Sequence, residues 1–303
     1  MNKLLMLVRR EYWENRSLWI VPLVIAGIIL ISAAFGGIHT GDKNLFSFGT
    51  NDGPSAAEIA ALAGSMNKRE MIYGMTIASF TVFQLVVLGF VIFFYLLDSL
   101  LSERKDRSIL FWKSLPVSDS QVVGSKVLTA LVTTPIYVML VSAATQLVFA
   151  IVWWLRMRGG PLEELLIPFD ASTWAQVQAG TWILAFVTVL WYLPIAGYLL
   201  LVSVWARRNA FLWAVLPIVG ILLAEGLLMQ THRFADFLGR RFAGVFQIIG
   251  FEHDPIPDDG AALALFAKHA AAVLMNWETW AGVAVAAAVF FAIVRIRRYR
   301  DDT

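Results

Sequence analysis

The chain contains no cysteine. Disulfides and thiolate metal sites are therefore excluded, and the redox compartment is not readable from it. Charge is also scarce: 15% of the 303 residues are Asp, Glu, Lys or Arg, against about 25% in soluble domains. The net charge of +2 is too small to point to a nucleic-acid partner. No G-x-x-x-x-G-K-[ST] run occurs, and Gly124-Ser125-Lys126 lacks the upstream glycine. A P-loop ATPase needs that backbone cradle, so any ATP and Mg chemistry belongs to a partner. H-E-x-x-H and G-x-S-x-G are missing as well. The four histidines fall outside the apolar runs or at their outer ends, where no catalytic role is expected. His253, Asp254, Asp258 and Asp259 read as a solvated turn rather than a metal site. No cofactor and no enzymatic activity are expected of this chain.

What the chain has in quantity is apolar side chains. They make up 59% of it, and its mean hydropathy is +0.69. Soluble domains run at about 45–50% apolar, so the composition predicts an all-α integral membrane protein. Six runs approach the ~20 residues that a bilayer requires: residues 18–38, 75–97, 127–155, 181–205, 211–229 and 280–296. Pro135 is expected to kink the third run, and Pro194 with Gly197 to interrupt the fourth. Gly282 with Ala286, and Ala284 with Ala288, offer small-residue pairs for close helix packing. Nothing repeats internally, so 1–303 reads as a single transmembrane domain.

Residues 1–16 predict a basic interfacial helix. Leu4, Leu5, Leu7, Val8 and Tyr12 share one side, with Glu11 and Asn15 intruding on it. Residues 230–279 form the longest polar stretch. Within it, Phe234, Phe237, Leu238, Phe242, Val245, Phe246 and Ile249 recur at helical spacing, with most of the charge elsewhere. That predicts an amphipathic helix at the interface or on the bundle. Residues 261–277 are apolar but centred on Lys268-His269, which suits a re-entrant or surface helix better than a span. Glu225 is the one ionisable residue well inside a run. Such residues are costly and usually functional, which makes it a pathway or gating candidate. Its alternative is to reach interfacial water from the helix end.

Orientation follows from the basic residues. Fifteen of the twenty-four lysines and arginines fall on the side of the termini, 99–126 and 207–208. The positive-inside rule then places both termini in the cytoplasm.

The segment 99–126 mixes dense charge with bulky apolar residues. Glu103, Arg104, Lys105, Asp106 and Arg107 precede Ile109, Leu110, Phe111, Trp112 and Leu115. Pro116 ends a first helix, since the residue before a proline leaves the α region. Ser118 and Gln121 have the spacing of a capping box opening a second helix, with Val117 and Val122 as its staple. Together these specify a helix, a sharp corner and a helix that rises into the third run.

Residues 103–126 resemble the loop between the second and third spans of ABC-2 type permeases, the membrane subunits of ABC exporters. The resemblance rests on Glu103-Arg104, the apolar stretch 109–115, Leu115-Pro116-Val117-Ser118, and Lys126; Ser108 stands where many members have glycine. It implies a coupling helix in 99–126, re-entrant outer helices before the last span, and a cytoplasmic ABC ATPase partner in two copies. It also implies a second permease copy, identical or related, in a cell membrane, in bacteria the inner one. On that resemblance Ile109, Phe111, Trp112 and Leu115 are expected to dock into the ATPase, with Glu103, Arg104 and Arg107 around the contact. The competing placement is in lipid headgroups. An ion-gradient transporter would want several intramembrane carboxylates or broken helices, and an intramembrane enzyme a paired nucleophile and base. The sequence supplies only Glu225 for the first and nothing for the second.

Overall fold

The computed structural model describes residues 3–35, 66–106, 117–158, 171–249 and 262–299. Regular structure among the described residues is entirely helical. In chain order the helices are α1 (Lys3–Glu14), α2 (Ser17–Phe35), α3 (Met66–Lys105), α4 (Asp119–Leu128), α5 (Thr134–Met157), α6 (Ala171–Trp205), α7 (Ala210–Ala224), α8 (Arg233–Ile249), α9 (Ala262–Met275) and α10 (Trp277–Tyr299). Among the described residues six helical stretches are long and apolar enough to cross a membrane: Ser17–Phe35, Ser79–Lys105, Asp119–Leu155, Trp174–Trp205, Ala210–Met229 and Trp277–Tyr299.

The spans differ from the sequence reading chiefly at their ends and prolines. The second span belongs to a 40-residue helix that starts at Met66. The fourth starts at Ala171 and runs unbroken through Pro194 for 35 residues, so the expected interruption is absent. A proline removes one ladder donor, and neighbouring helices can hold a membrane helix together across that gap. Pro135 acts differently. The five residues Thr129–Thr133 before it form a π-helical stretch, closed by Thr134 N–H donating to Thr129 O. The Thr133 and Thr134 hydroxyls donate to the same carbonyl, at 3.1 and 2.6 Å. The wide turn thus lets α4 continue into α5 despite the missing donor. The sixth span begins at Trp277, earlier than expected. Asn276 caps it through Oδ1, which accepts from Glu278 N–H at 2.9 Å.

The core is a stripe along α3 and α6 filled by Leu96, Leu100, Ala196, Leu200 and Ile293. Without a hydrophobic drive between helices in lipid, close approach depends on small residues. Gly197 faces Val289 and Ala286 of α10, with room there for no more than a methyl group in ordinary contact. Of the two small-residue pairs, only Gly282 and Ala286 are buried; Ala284 and Ala288 are exposed. At 100° per residue the second pair lies round the far side of α10. Lipid-sized apolar residues such as Phe94, Leu140, Phe186, Leu216 and Phe291 point outward, as a bilayer-embedded bundle demands.

Candidate functional site

At one end of the bundle five charged side chains from four helices converge. Lys126 of α4 places Nζ 2.9 Å from Glu11 Oε1 of α1 and 3.0 Å from Glu103 Oε1 of α3. The second contact is an ion pair without hydrogen-bond geometry. Glu103 Oε2 accepts from Arg297 Nη1 of α10 at 2.8 Å, and Arg297 Nε donates to Asp119 Oδ1 at 3.0 Å. Tyr95 adds a hydroxyl donated to Glu11 Oε2 at 2.8 Å. Glu11, Glu103, Lys126 and Arg297 are all buried, at 3, 6, 2 and 4% exposure. Carboxylates and cations alternate, so each buried charge faces an opposite one, the condition under which such burial is tolerated.

Local sequence explains the placement. Glu11 lies on the bundle-facing stripe of α1 with Leu4, Leu7, Val8 and Tyr12, so its intrusion on an apolar side is what brings it inward. Asp119 opens α4, where the helix dipole favours a carboxylate. Ser118 caps that helix, and the capping box forms in full, with Gln121 Oε1 accepting from Ser118 N–H at 3.1 Å. Arg104 clasps the ends of α3 and α6 together. Its Nη2 donates to Ser203 O at 2.7 Å and Ala206 O at 2.6 Å, carbonyls at the negative end of α6. Ser203 Oγ accepts from Leu100 and Leu101 N–H at 3.0 and 3.1 Å.

Beside the cluster lies a cavity of about 330 Å³ lined by Ser118, Asp119, Ser120, Val294, Arg297 and Arg298, among others. Glu103 and Arg104 therefore turn toward intramolecular partners. Arg107, Ile109, Phe111, Trp112 and Leu115 lie outside the described residues. Sequence reasoning missed Glu11 and Arg297 as cluster members; the signal for Glu11 was its position on the apolar side of α1.

Glu225 sits at the other end. It opens a second π-helical stretch, Glu225–Met229, which ends at Gln230 with φ 49°. Its carboxylate accepts from Phe234 N–H at 3.0 and 2.9 Å and from the Thr231 hydroxyl at 3.0 Å. It thus caps the start of α8, a favourable place for an anion.

Helix α8 forms over the expected residues but turns an unexpected face inward. Arg241 and Gly244 are buried, while Phe237 and Phe242 are half exposed. The Arg241 guanidinium stacks on the Trp191 ring at 4.6 Å, and Trp191 Nε1 donates to Arg241 O at 2.9 Å. Its Nη1 donates to Glu278 O at 3.2 Å. Burial lowers the Arg241 pKa from the ordinary guanidinium value, with Glu278 acting in the opposite direction. In this position the Arg241 guanidinium fills the space left open by Gly282: a Cβ there would clash with Nη2. Gly282→Val is expected to expel the guanidinium and destabilise the chain by about 1–3 kcal/mol, as overpacking does. A lowered unfolding temperature in lipid nanodiscs, with faster proteolysis of α8, is the result to look for; an unchanged temperature would show that Arg241 does not need this seat. Helix α9 packs on α6, with Phe266 seated against Gly180 and Val273 fully buried.

Among the described residues no three metal-ligating side chains come together. The chain matches no family model, no curated protein and no solved structure.

Proposed function

We propose that the chain is the permease subunit of an ABC-2 type exporter, driven by a separate cytoplasmic ATPase. The observation that carries this reading is the anchoring of both flanks of 107–116. On one side Glu103 and Arg104, on the other Asp119 and Lys126, are tied by buried ion pairs and hydrogen bonds to α1, α6 and α10. A push on the segment between them would be transmitted to the second, third, fourth and sixth spans without loss in a loose connector. That is the mechanical requirement of a coupling helix. The basic residues at this end agree with a cytoplasmic placement, and the absent P-loop assigns ATP and Mg to the partner. Two permeases and two ATPases would then work by alternating access. Glu225 enters the same reading as a gating residue: opening at the outer end requires it to release Phe234 N–H and Thr231, which it holds here.

The experiment is co-purification followed by a Phe111→Ala/Trp112→Ala double variant. Buried aromatic anchors cost ~2 kcal/mol or more each when truncated at interfaces. The expected outcome is normal membrane insertion with at least tenfold weaker retention of the ATPase. A chain that never retains an ATPase, or a double variant that retains it unchanged, rules the docking role out.

A further inference from the structure

Inside the bundle, away from the charge cluster, a second set of polar side chains converges, and all of them are neutral. Thr81 of α3 and Ser142 of α5 share a hydrogen bond of 2.7 Å. Gln146 Nε2 donates to Thr81 Oγ1 at 2.9 Å. Gln146 Oε1 accepts from Trp174 Nε1 at 3.1 Å, and from Gln178 Nε2. These bonds tie α3, α5 and α6 together. Two amides are left incomplete. Gln178 Oε1 is buried without a partner, and Gln84 has none at either Nε2 or Oε1. Gln84 is 1% exposed and Gln178 8%, so neither lipid headgroups nor bulk water complete them.

Gln84 lies one helical turn from Thr81, on the same face of α3. A glutamine kept there for helix packing would be bonded across the interface, as Gln146 is. An amide buried with both ends unused is costly, and more so in a membrane span. The unmet valences are those of a donor and an acceptor together. No acid, base or histidine belongs to the set, so an ionic ligand would find no counter-charge. A hydroxyl or a second amide supplies both functions and carries no charge. At this depth such a group arrives attached to an otherwise apolar molecule.

We propose that Gln84, with Gln178 and the Thr81–Ser142–Gln146 cluster beside it, is an intramembrane binding site for an uncharged amphiphile with a hydroxyl or amide head. This deepens the export reading by naming a cargo class, and only the word cargo rests on that reading.

The test uses the full chain in phosphatidylcholine nanodiscs, with n-octanol as probe and n-octane as control. Wild type is compared with Gln84→Leu and Gln84→Met, both apolar and of similar volume. Without probe, both variants are expected to unfold at or above the wild-type temperature, because removing an unpartnered buried amide leaves nothing unpaired. Relative to octane, octanol raises the wild-type Tm by about 3 °C or more and leaves both variants unmoved. Equal responses in all three proteins would assign the effect to the bilayer and overturn the site. So would a wild type that ignores octanol, since the amide then holds water or nothing. Variants that unfold well below wild type without probe would make Gln84 a packing residue. No ATPase is present, so the outcomes separate: failure here leaves the docking proposal standing, and failure of co-purification leaves this binding untouched.

Discussion

Lys126→Met is expected to lower the unfolding temperature more than any other single charge removal in the chain. Lys126 is the cation shared by Glu11 and Glu103, at 2.9 and 3.0 Å. All three are almost fully buried. Without the ammonium, Glu11 keeps only neutral donors, the Tyr95 hydroxyl at 2.8 Å and Asn15 Nδ2 at 3.5 Å, and Glu103 keeps Arg297. Removing one partner of a buried pair typically costs about 3–5 kcal/mol, because the remaining charge is stranded away from water. For a chain of this size that corresponds to a fall of several degrees or more in Tm.

The pattern of combined variants distinguishes stranding from simple loss of a contact. Glu11→Gln in the Lys126→Met background removes one stranded carboxylate. The double variant should therefore be destabilised by less than the sum of the two single changes, with a coupling of about 1–3 kcal/mol. The measurement is thermal unfolding of all four proteins in one lipid nanodisc composition. Strict additivity would mean that the cluster is open to water and does not behave as a buried network. A second readout addresses its place beside the 107–116 segment. If the network holds α1 against α4, Lys126→Met should raise the reactivity of a single cysteine placed at Leu7, which is buried on α1, in this otherwise cysteine-free chain.

Much of this architecture was legible because hydropathy over twenty residues is a strong signal. The six spans are a direct consequence of what lipid excludes. The capping box at Ser118 was legible too, since its two hydrogen bonds depend on residues three apart and on nothing distant. Span ends were harder. Residues 171–178 are polar enough to read as loop, yet they are helical because Trp174 and Gln178 bond to Gln146 on a neighbouring helix. Pro194 carries the same local signal as Pro135, and only tertiary support decides that one sits in a continuous helix and the other follows a π-helical stretch. The charge cluster was least legible of all. Its directly bonded members lie up to 194 residues apart in sequence, and periodicity has no means of joining Glu103 to Arg297. Arg241 defeated the amphipathic pattern for a related reason. A guanidinium that finds an aromatic face, a carbonyl and a glycine can turn inward from a helix whose polar side it was expected to occupy.

Trp191→Ala is expected to be the most damaging single change among the apolar residues packed against α8 and α9. The Trp191 ring is 1% exposed and packs among Leu184, Val187, Ala270 and Val273. Its far edge meets α8, where a Cβ at Gly244 would stand 3.0 Å from the ring. Truncating a buried tryptophan of this kind costs about 3–5 kcal/mol through lost contacts and the cavity left behind. Here the loss extends to polar groups. Arg241 O loses the 2.9 Å bond from Nε1, and the guanidinium loses the aromatic face on which it stacks. Tyr192, whose hydroxyl donates to Phe242 O at 2.7 Å, then becomes the main polar tie between α6 and α8. The prediction is therefore twofold: a large fall in Tm, and preferential release of α8, seen as faster hydrogen exchange over 233–249 than over α3 or α6. Trp191→Phe separates the two effects. It restores most of the ring volume without the indole N–H, so it should recover much of the Tm while leaving exchange in α8 raised. If Trp191→Phe restores protection in α8 as well, the indole hydrogen bond is dispensable and packing alone holds that helix on the bundle.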